Sequence, residues 1–222
     1  MLKEHHLPVT KTARYYTFGQ PTHNTRYVWF VLHGYGQAAS GFMNNFTQLN
    51  PARHFIVAPE GLSRFYWNGF TGPPVASWMT SADRLNEIHD YIQYLNNLYE
   101  QVMRSLPDGC RPEINLLGFS QGATTLSRWF ANGQILANRL IFWAGGLAHD
   151  IDWHKATPLF NQASTYLFYG TDDPLISAEN MHLQNQLLHQ HQIPFKAVSF
   201  KGAHEIQEAV LLDHFNNPET TR

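Results

Sequence analysis

Apolar residues in this chain gather into short runs, separated by longer stretches in which they recur every three or four positions. The runs at 27–32, 54–58, 114–117, 140–144, 165–169 and 195–200 have the length of buried strands. Between them, residues 40–49, 81–106, 123–130, 177–191 and 205–215 have the length and spacing of helices. In the longest, Leu85, Ile88, Ile92, Leu95, Leu98 and Val102 recur near helical spacing, and Pro107-Asp108-Gly109 stops the run. Strands that alternate with helices predict an α/β fold: a mostly parallel central sheet with helices on both faces. No linker, repeat or low-complexity stretch interrupts the pattern, so one domain over residues 1–222 is expected. Residues 1–18 are expected to add a flanking strand or hairpin. Residues 60–78, rich in aromatics, glycine and proline, read as a loop.

In such a fold, sites lie beyond the carboxyl ends of the strands, so chemistry should appear just after a strand. Gly118-Phe119-Ser120-Gln121-Gly122 meets that condition, following one apolar run and opening a helical segment. A serine at a sharp strand-to-helix corner takes strained backbone angles that lift its hydroxyl clear, and small flanking residues let strand and helix approach. That is the pattern of a nucleophile elbow. A serine hydroxyl is a weak nucleophile near neutral pH, so it needs a base within reach and a group to orient that base. Downstream, one strand delivers Gly170-Thr171-Asp172-Asp173-Pro174 and the next delivers Lys201-Gly202-Ala203-His204. Serine, acid and histidine thus follow in the chain order of a hydrolase triad. His149, His154, His182, His189, His191 and His214 also follow the serine, but 182, 189 and 191 fall in a helical segment and 214 near the end of the chain, and His204 is the one that arrives just past a strand end after the acid. Position alone does not separate Asp172 from Asp173, since one of them can cap the following helix. An acyl-transfer site also needs donors for a developing oxyanion. The elbow supplies the backbone N–H of Gln121, and the loop Leu32-His33-Gly34-Tyr35-Gly36-Gln37 supplies that of Tyr35 or Gly36.

Leu32-His33-Gly34-Tyr35-Gly36, Gly118-Phe119-Ser120-Gln121-Gly122, residues 170–176 and Gly202-Ala203-His204 together resemble the carboxylesterase/phospholipase family that includes the acyl-protein thioesterases. The resemblance runs from about Tyr27 to about Glu208. It implies an α/β-hydrolase fold and a serine hydrolase of carboxylic esters or thioesters, with Ser120, Asp173 and His204 as its triad and no cofactor. Asp173 is preferred because it directly precedes Pro174, as the family's acid precedes its proline. The family's oxyanion donors map onto the amides of Tyr35 and Gln121. Ser77-Trp78 resembles a family pair, but Met79-Thr80 follow where an aromatic and an aspartate are usual. Around it, Trp67, Phe70 and Trp78 are candidates to line an acyl-binding wall. The alternative is a catalytically silent hydrolase fold used as a ligand-binding module; such modules lose a triad member, and this chain keeps three.

Composition narrows the remaining classes. Net charge is -2 with no basic run, which argues against nucleic acid or an anionic membrane as partner and leaves a small-molecule or acyl ester substrate. Charged residues are 14%, against roughly 25% in ordinary soluble domains, so Asn, Gln, His, Ser and Thr must cover much of the surface. Cys110 is the lone cysteine, which excludes an intrachain disulfide and fits a reducing compartment. Residues 1–17 carry no signal-peptide-like run, and no apolar stretch reaches the roughly 20 residues of a membrane span. A soluble cytoplasmic protein is expected. No metal site is expected either: His5-His6 is a terminal pair, and His189 and His191 project from different faces of a helix. No glycine-rich phosphate loop is present.

Overall fold

Runs that are apolar on every residue can be buried only if both faces of their sheet are covered, and the structure meets that demand. It is a computed structural model describing residues 1–216. Along the chain lie β1 (Tyr15–Phe18), β2 (Tyr27–Leu32), α1 (Ala39–Met43), β3 (His54–Pro59), β4 (Ser63–Asn68) and β5 (Thr71–Ser77). They are followed by α2 (Arg84–Ser105), β6 (Glu113–Phe119), α3 (Gln121–Ala131), β7 (Arg139–Trp143) and α4 (Trp153–Phe160). The chain continues through β8 (Ser164–Gly170), α5 (Ala178–Gln190), β9 (Phe195–Phe200) and α6 (Glu208–Phe215). Seven strands form one sheet in the order β1-β3-β2-β6-β7-β8-β9. All its pairs are parallel except β1 with β3, which is antiparallel at one edge. This is the mostly parallel sheet of an α/β-hydrolase.

In β2 all six residues are buried, and their alternation assigns them to two cores. Val28, Phe30 and Leu32 share one core with Tyr91, Leu95, Leu126, Trp129, Phe160 and Leu188 of α2 to α5. Tyr27, Trp29 and Val31 face α1 and α6, against Phe42, Met43, Leu211 and Phe215. Register then sets the site. Leu32 pairs with Gly118, Phe119 with Trp143, and Gly170 with Phe200, so these strands end side by side at the same edge of the sheet. The loops that follow are therefore neighbours.

Several sequence expectations are corrected. Residues 60–78 are not a loop: β4 and β5 form an antiparallel hairpin outside the main sheet, joined at Gly69-Phe70. Pro73 and Pro74 read as breakers, yet a two-stranded ribbon with a free edge tolerates them. Asn68 pairs with Thr71, so Gly69 takes the first central position of a two-residue loop at φ +68°, where such turns favour glycine. Helix α4, with Pro158 inside it, was not foreseen. In α2, which begins at Arg84 after Asp83 in the left-handed region at φ +49°, Leu85 is exposed while Tyr91 is buried. Residues 40–49 hold only α1 and a short 3-10 turn, and α6 starts at Glu208 rather than 205. Residues 1–18 contribute one edge strand, β1.

Candidate active site

Ser120 stands between the end of β6 and the first residue of α3 with φ +54° and ψ −117°. That is left-handed territory for a side chain bearing a Cβ, and its cost is met by fixed surroundings. Its amide donates to Trp143 O at 2.9 Å, at the end of the adjacent β7. The two flanking glycines are required by space. A Cβ on Gly118 would lie 2.3 Å from Gly122 O, and one on Gly122 would lie 2.2 Å from Leu32 O. Strand, helix and neighbouring strand therefore converge at the serine as an elbow demands.

The acid and histidine loops emerge together from β8 and β9. Thr171 N–H donates to Phe200 O at 2.8 Å and Asp172 N–H to Gly202 O at 3.0 Å, so the backbones are zipped beyond the sheet. Asp173 Oδ2 lies 2.8 Å from His204 Nδ1. Its other oxygen accepts the N–H groups of Leu175 at 2.8 Å and Ile176 at 3.2 Å. The Asp173 side chain is wholly buried while that of His204 keeps 18% exposure, so the imidazole forms the open side of the pair. Asp172 is exposed and makes no side-chain contact with His204 among the described residues. The imidazole packs on Phe119, centroid to centroid 4.9 Å, which sets it beside the residue that precedes Ser120. Trp143 Nε1–H donates to Glu205 O at 2.8 Å and holds the histidine loop from below.

Of the two candidates in the early loop, the Gly36 N–H is already taken by Ala76 O at 2.9 Å. The Tyr35 N–H has no protein acceptor among the described residues, and Gln121 N–H is the orphaned first amide of a helix. The loop is held from several directions. Gln37 Oε1 accepts the Gly34 N–H at 2.7 Å, and Ala76 N–H donates to Gln37 O at 3.0 Å. His33 is fully buried; its Nδ1 donates to Gly34 O at 2.7 Å while its Nε2 accepts the Gly61 N–H at 3.0 Å. Both contacts specify a neutral ring, and burial pushes its pKa down in the same sense. The sequence places His33 in the oxyanion-donor loop but gives its side chain no role of its own.

The three aromatic candidates occupy different environments. Trp78 is 1% exposed; its indole stacks on His33 with centroids 5.0 Å apart and donates to His33 O at 2.8 Å. It is a buried support of the oxyanion loop and lies beneath His33. Phe70 is 97% exposed at the hairpin tip, where it packs against nothing that would shape a pocket. Trp67 is 57% exposed and its ring covers Gly36, where a Cβ would meet the indole at 2.2 Å. It also contacts Tyr35 edge-on at 6.0 Å. A cavity of about 520 Å3 lies between the N-terminal segment and α2, lined by Lys11, Leu62, Trp78, Glu87 and Tyr94, and by none of Ser120, Asp173 or His204.

Among the described residues Glu4, His6 and Asp83 could together hold a metal ion. All three are exposed, and His6 Nε2 lies 3.3 Å from Glu4 Oε1 and 3.1 Å from Asp83 Oδ1, the geometry of surface ion pairs. On the flank of the elbow, Asp150 pairs with Arg84 and, at 2.9 Å, with Arg128. Partial burial works to raise the Asp150 pKa, but the two guanidinium hydrogen bonds outweigh it and hold the carboxyl below its usual value.

The fold has many relatives among solved structures. Acyl-protein thioesterase 2 from Zea mays superimposes with TM-score 0.69 at 16% identity, covering 94% of this chain and 98% of that one. A phospholipase/carboxylesterase from Dyadobacter fermentans gives 0.64 at 18% identity, over 94% of this chain and 98% of that one. A Bacillus cereus carboxylesterase gives 0.65 at 12% identity, over 90% and 91%. At such identities the likeness speaks to the fold. No curated protein matches in sequence. The model of the phospholipase/carboxylesterase family matches residues 19–216, from before β2 to the end of α6, and the chain belongs to that family of α/β-hydrolases.

Proposed function

We propose that this protein is a serine hydrolase that cleaves carboxylic esters or thioesters through an acyl-enzyme. Ser120 Oγ attacks the acyl carbon as His204 Nε2 takes its proton, and the imidazolium then protonates the leaving alcohol or thiol. Asp173, hydrogen-bonded to Nδ1, keeps Nε2 free to act and stabilises the imidazolium. The N–H groups of Gln121 and Tyr35 receive the oxyanion. Water, deprotonated by the same imidazole, releases the acyl group. The observation that carries this reading is the 2.8 Å contact of a buried, otherwise satisfied Asp173 with His204, whose ring packs on Phe119, the residue before a serine held at positive φ. Because the base acts unprotonated, kcat/KM should fall on acidification.

Of the aromatic candidates, Trp67 is proposed to border the acyl group, since one face of its ring covers the oxyanion loop and the rest is open. The test is a panel of p-nitrophenyl esters from acetyl to palmitoyl with acyl thioester members. The wild type should turn over at least one of them, and Ser120→Ala should lose roughly 10⁴- to 10⁶-fold in kcat with its fold intact. Turnover that survives in Ser120→Ala would remove the serine from the mechanism. A folded wild type inert to the whole panel would favour a binding module.

A further inference from the structure

The two amides proposed to receive the oxyanion come from parts of the chain far apart in sequence, yet both are fastened to one short stretch. On one side, the Tyr35 loop is bridged to β5: Gly36 N–H donates to Ala76 O at 2.9 Å and Ala76 N–H to Gln37 O at 3.0 Å. On the other, the side chain of Gln121 reaches from the elbow to the very next residues. Its Oε1 accepts the Trp78 N–H at 3.1 Å and lies 3.3 Å from Ser77 Oγ. Its Nε2 donates to Met79 O at 2.8 Å. Ser77 Oγ also donates to Met79 O at 2.9 Å, which closes the arrangement. Ala76, Ser77 and Trp78 are buried while Met79 and Gln121 are half-buried, so these contacts are partly sheltered from water.

We infer that the Gln121 carboxamide is a positioning residue: it fixes the spacing of the two oxyanion donors by clamping the elbow to the strand end that already holds the Tyr35 loop. The inference rests on the function proposed above. Its physical basis is that a preorganised donor pair works only at the correct separation, and a displacement of about 1 Å can cost on the order of 10²-fold in rate. A donor supplied by the backbone would leave the side chain at position 121 unconstrained. The observed side chain instead spends both ends of its amide on one segment. The same contacts explain why Met79 can stand where the family pattern has an aromatic. The clamp uses the Met79 carbonyl, not its side chain.

Gln121→Met keeps the backbone amide and the side-chain length but removes every polar tie. It should lower kcat on a short ester by about 10- to 100-fold while KM stays within about twofold. Affinity for a trifluoromethyl ketone should fall by the same factor. In that adduct Ser120 Oγ adds to the ketone carbon, its proton passes to His204, and the carbonyl oxygen becomes an oxyanion. Affinity for the matching methyl ketone, which binds without forming an oxyanion, should not change. Ser77→Ala removes one hydroxyl from the clamp and should give the same pattern about 3- to 10-fold down, which guards against misfolding of the first variant. An active wild type whose two variants keep kcat and trifluoromethyl ketone affinity within twofold overturns this inference alone. So does a drop in melting temperature with kcat per folded molecule retained. A wild type that neither hydrolyses esters nor binds the trifluoromethyl ketone more tightly than the methyl ketone overturns the proposed function and the inference with it.

Discussion

Asp172 and Asp173 are adjacent, chemically identical and both just beyond β8, yet they occupy opposite environments. Asp173 is buried and accepts three hydrogen bonds, one from His204 and two from the backbone of its own turn. Asp172 points to solvent and contributes only its amide to the zipper with Gly202. Asp173→Asn should therefore cost about 10³- to 10⁴-fold in kcat by allowing the wrong imidazole tautomer, whereas Asp172→Asn should cost less than about threefold. Steady-state kinetics on one ester decides it, and the reverse ranking would reassign the acid. At this scale the sequence was informative where a residue type is tied to a strand end, as for Ser120 and His204. Position along the chain left Asp172 and Asp173 open, because which carboxylate turns inward depends on two backbone amides of the turn, and only the family resemblance at Pro174 preferred Asp173. The sequence also misplaced Trp78. A tryptophan four residues past Pro74 gives no sign that its indole will be sealed beneath His33.

Among the elements, the sheet and its helices were legible because strand and helix periods are local properties of the chain. The hairpin of β4 and β5 was not, since Gly72, Pro73 and Pro74 weaken β5 taken alone. Pairing supplies what propensity lacks: Phe65 opposes Val75, and Tyr66 opposes Pro74. The hairpin base is anchored through Ala76 to the Tyr35 loop, whereas its tip carries the exposed Phe70. That gradient predicts different consequences for its aromatics. Trp67→Ala should reduce kcat/KM for an octanoyl ester by roughly tenfold more than for an acetyl ester, the loss of about two buried methylene contacts at about 0.8 kcal/mol each. Phe70→Ala should leave both rates unchanged. The comparison needs only the octanoyl-to-acetyl ratio in three proteins. An equal loss for both esters in Trp67→Ala would mean that the indole serves the oxyanion loop and not the acyl chain.

The whole molecule adds a dependence on pH that is separate from catalysis. His54 opens β3 at the end of the sheet remote from the elbow, its ring tilted against Tyr27 at 4.7 Å and accepting the Trp29 indole N–H at 3.1 Å. Burial, with Arg53 nearby, pushes its pKa down to about 4. A folded-state value below the unfolded one means that the neutral ring fits the fold. Its contribution is complete above about pH 6.5 and is lost as the pH falls from there through about 4. Buried His33 shifts in the same direction. Denaturant unfolding at pH 7.5 and pH 5 should reveal a loss of about 2 kcal/mol from His54, and His54→Gln should remove that part of the slope. An identical pH dependence in the variant would place the sensitivity elsewhere. No helix among the described residues is long and apolar enough to cross a membrane.

The central claim, that Ser120 is a nucleophile activated by His204 and Asp173, is tested most directly by intact-protein mass spectrometry after exposure to a fluorophosphonate. The phosphorus is attacked by the serine oxygen, fluoride leaves, and the serine proton passes to the histidine. The account predicts one covalent adduct per chain, mapped to the peptide carrying Ser120, absent in Ser120→Ala and slowed by orders of magnitude in His204→Ala. A folded wild type that takes up no label, or one labelled at another residue with Ser120 untouched, would contradict it.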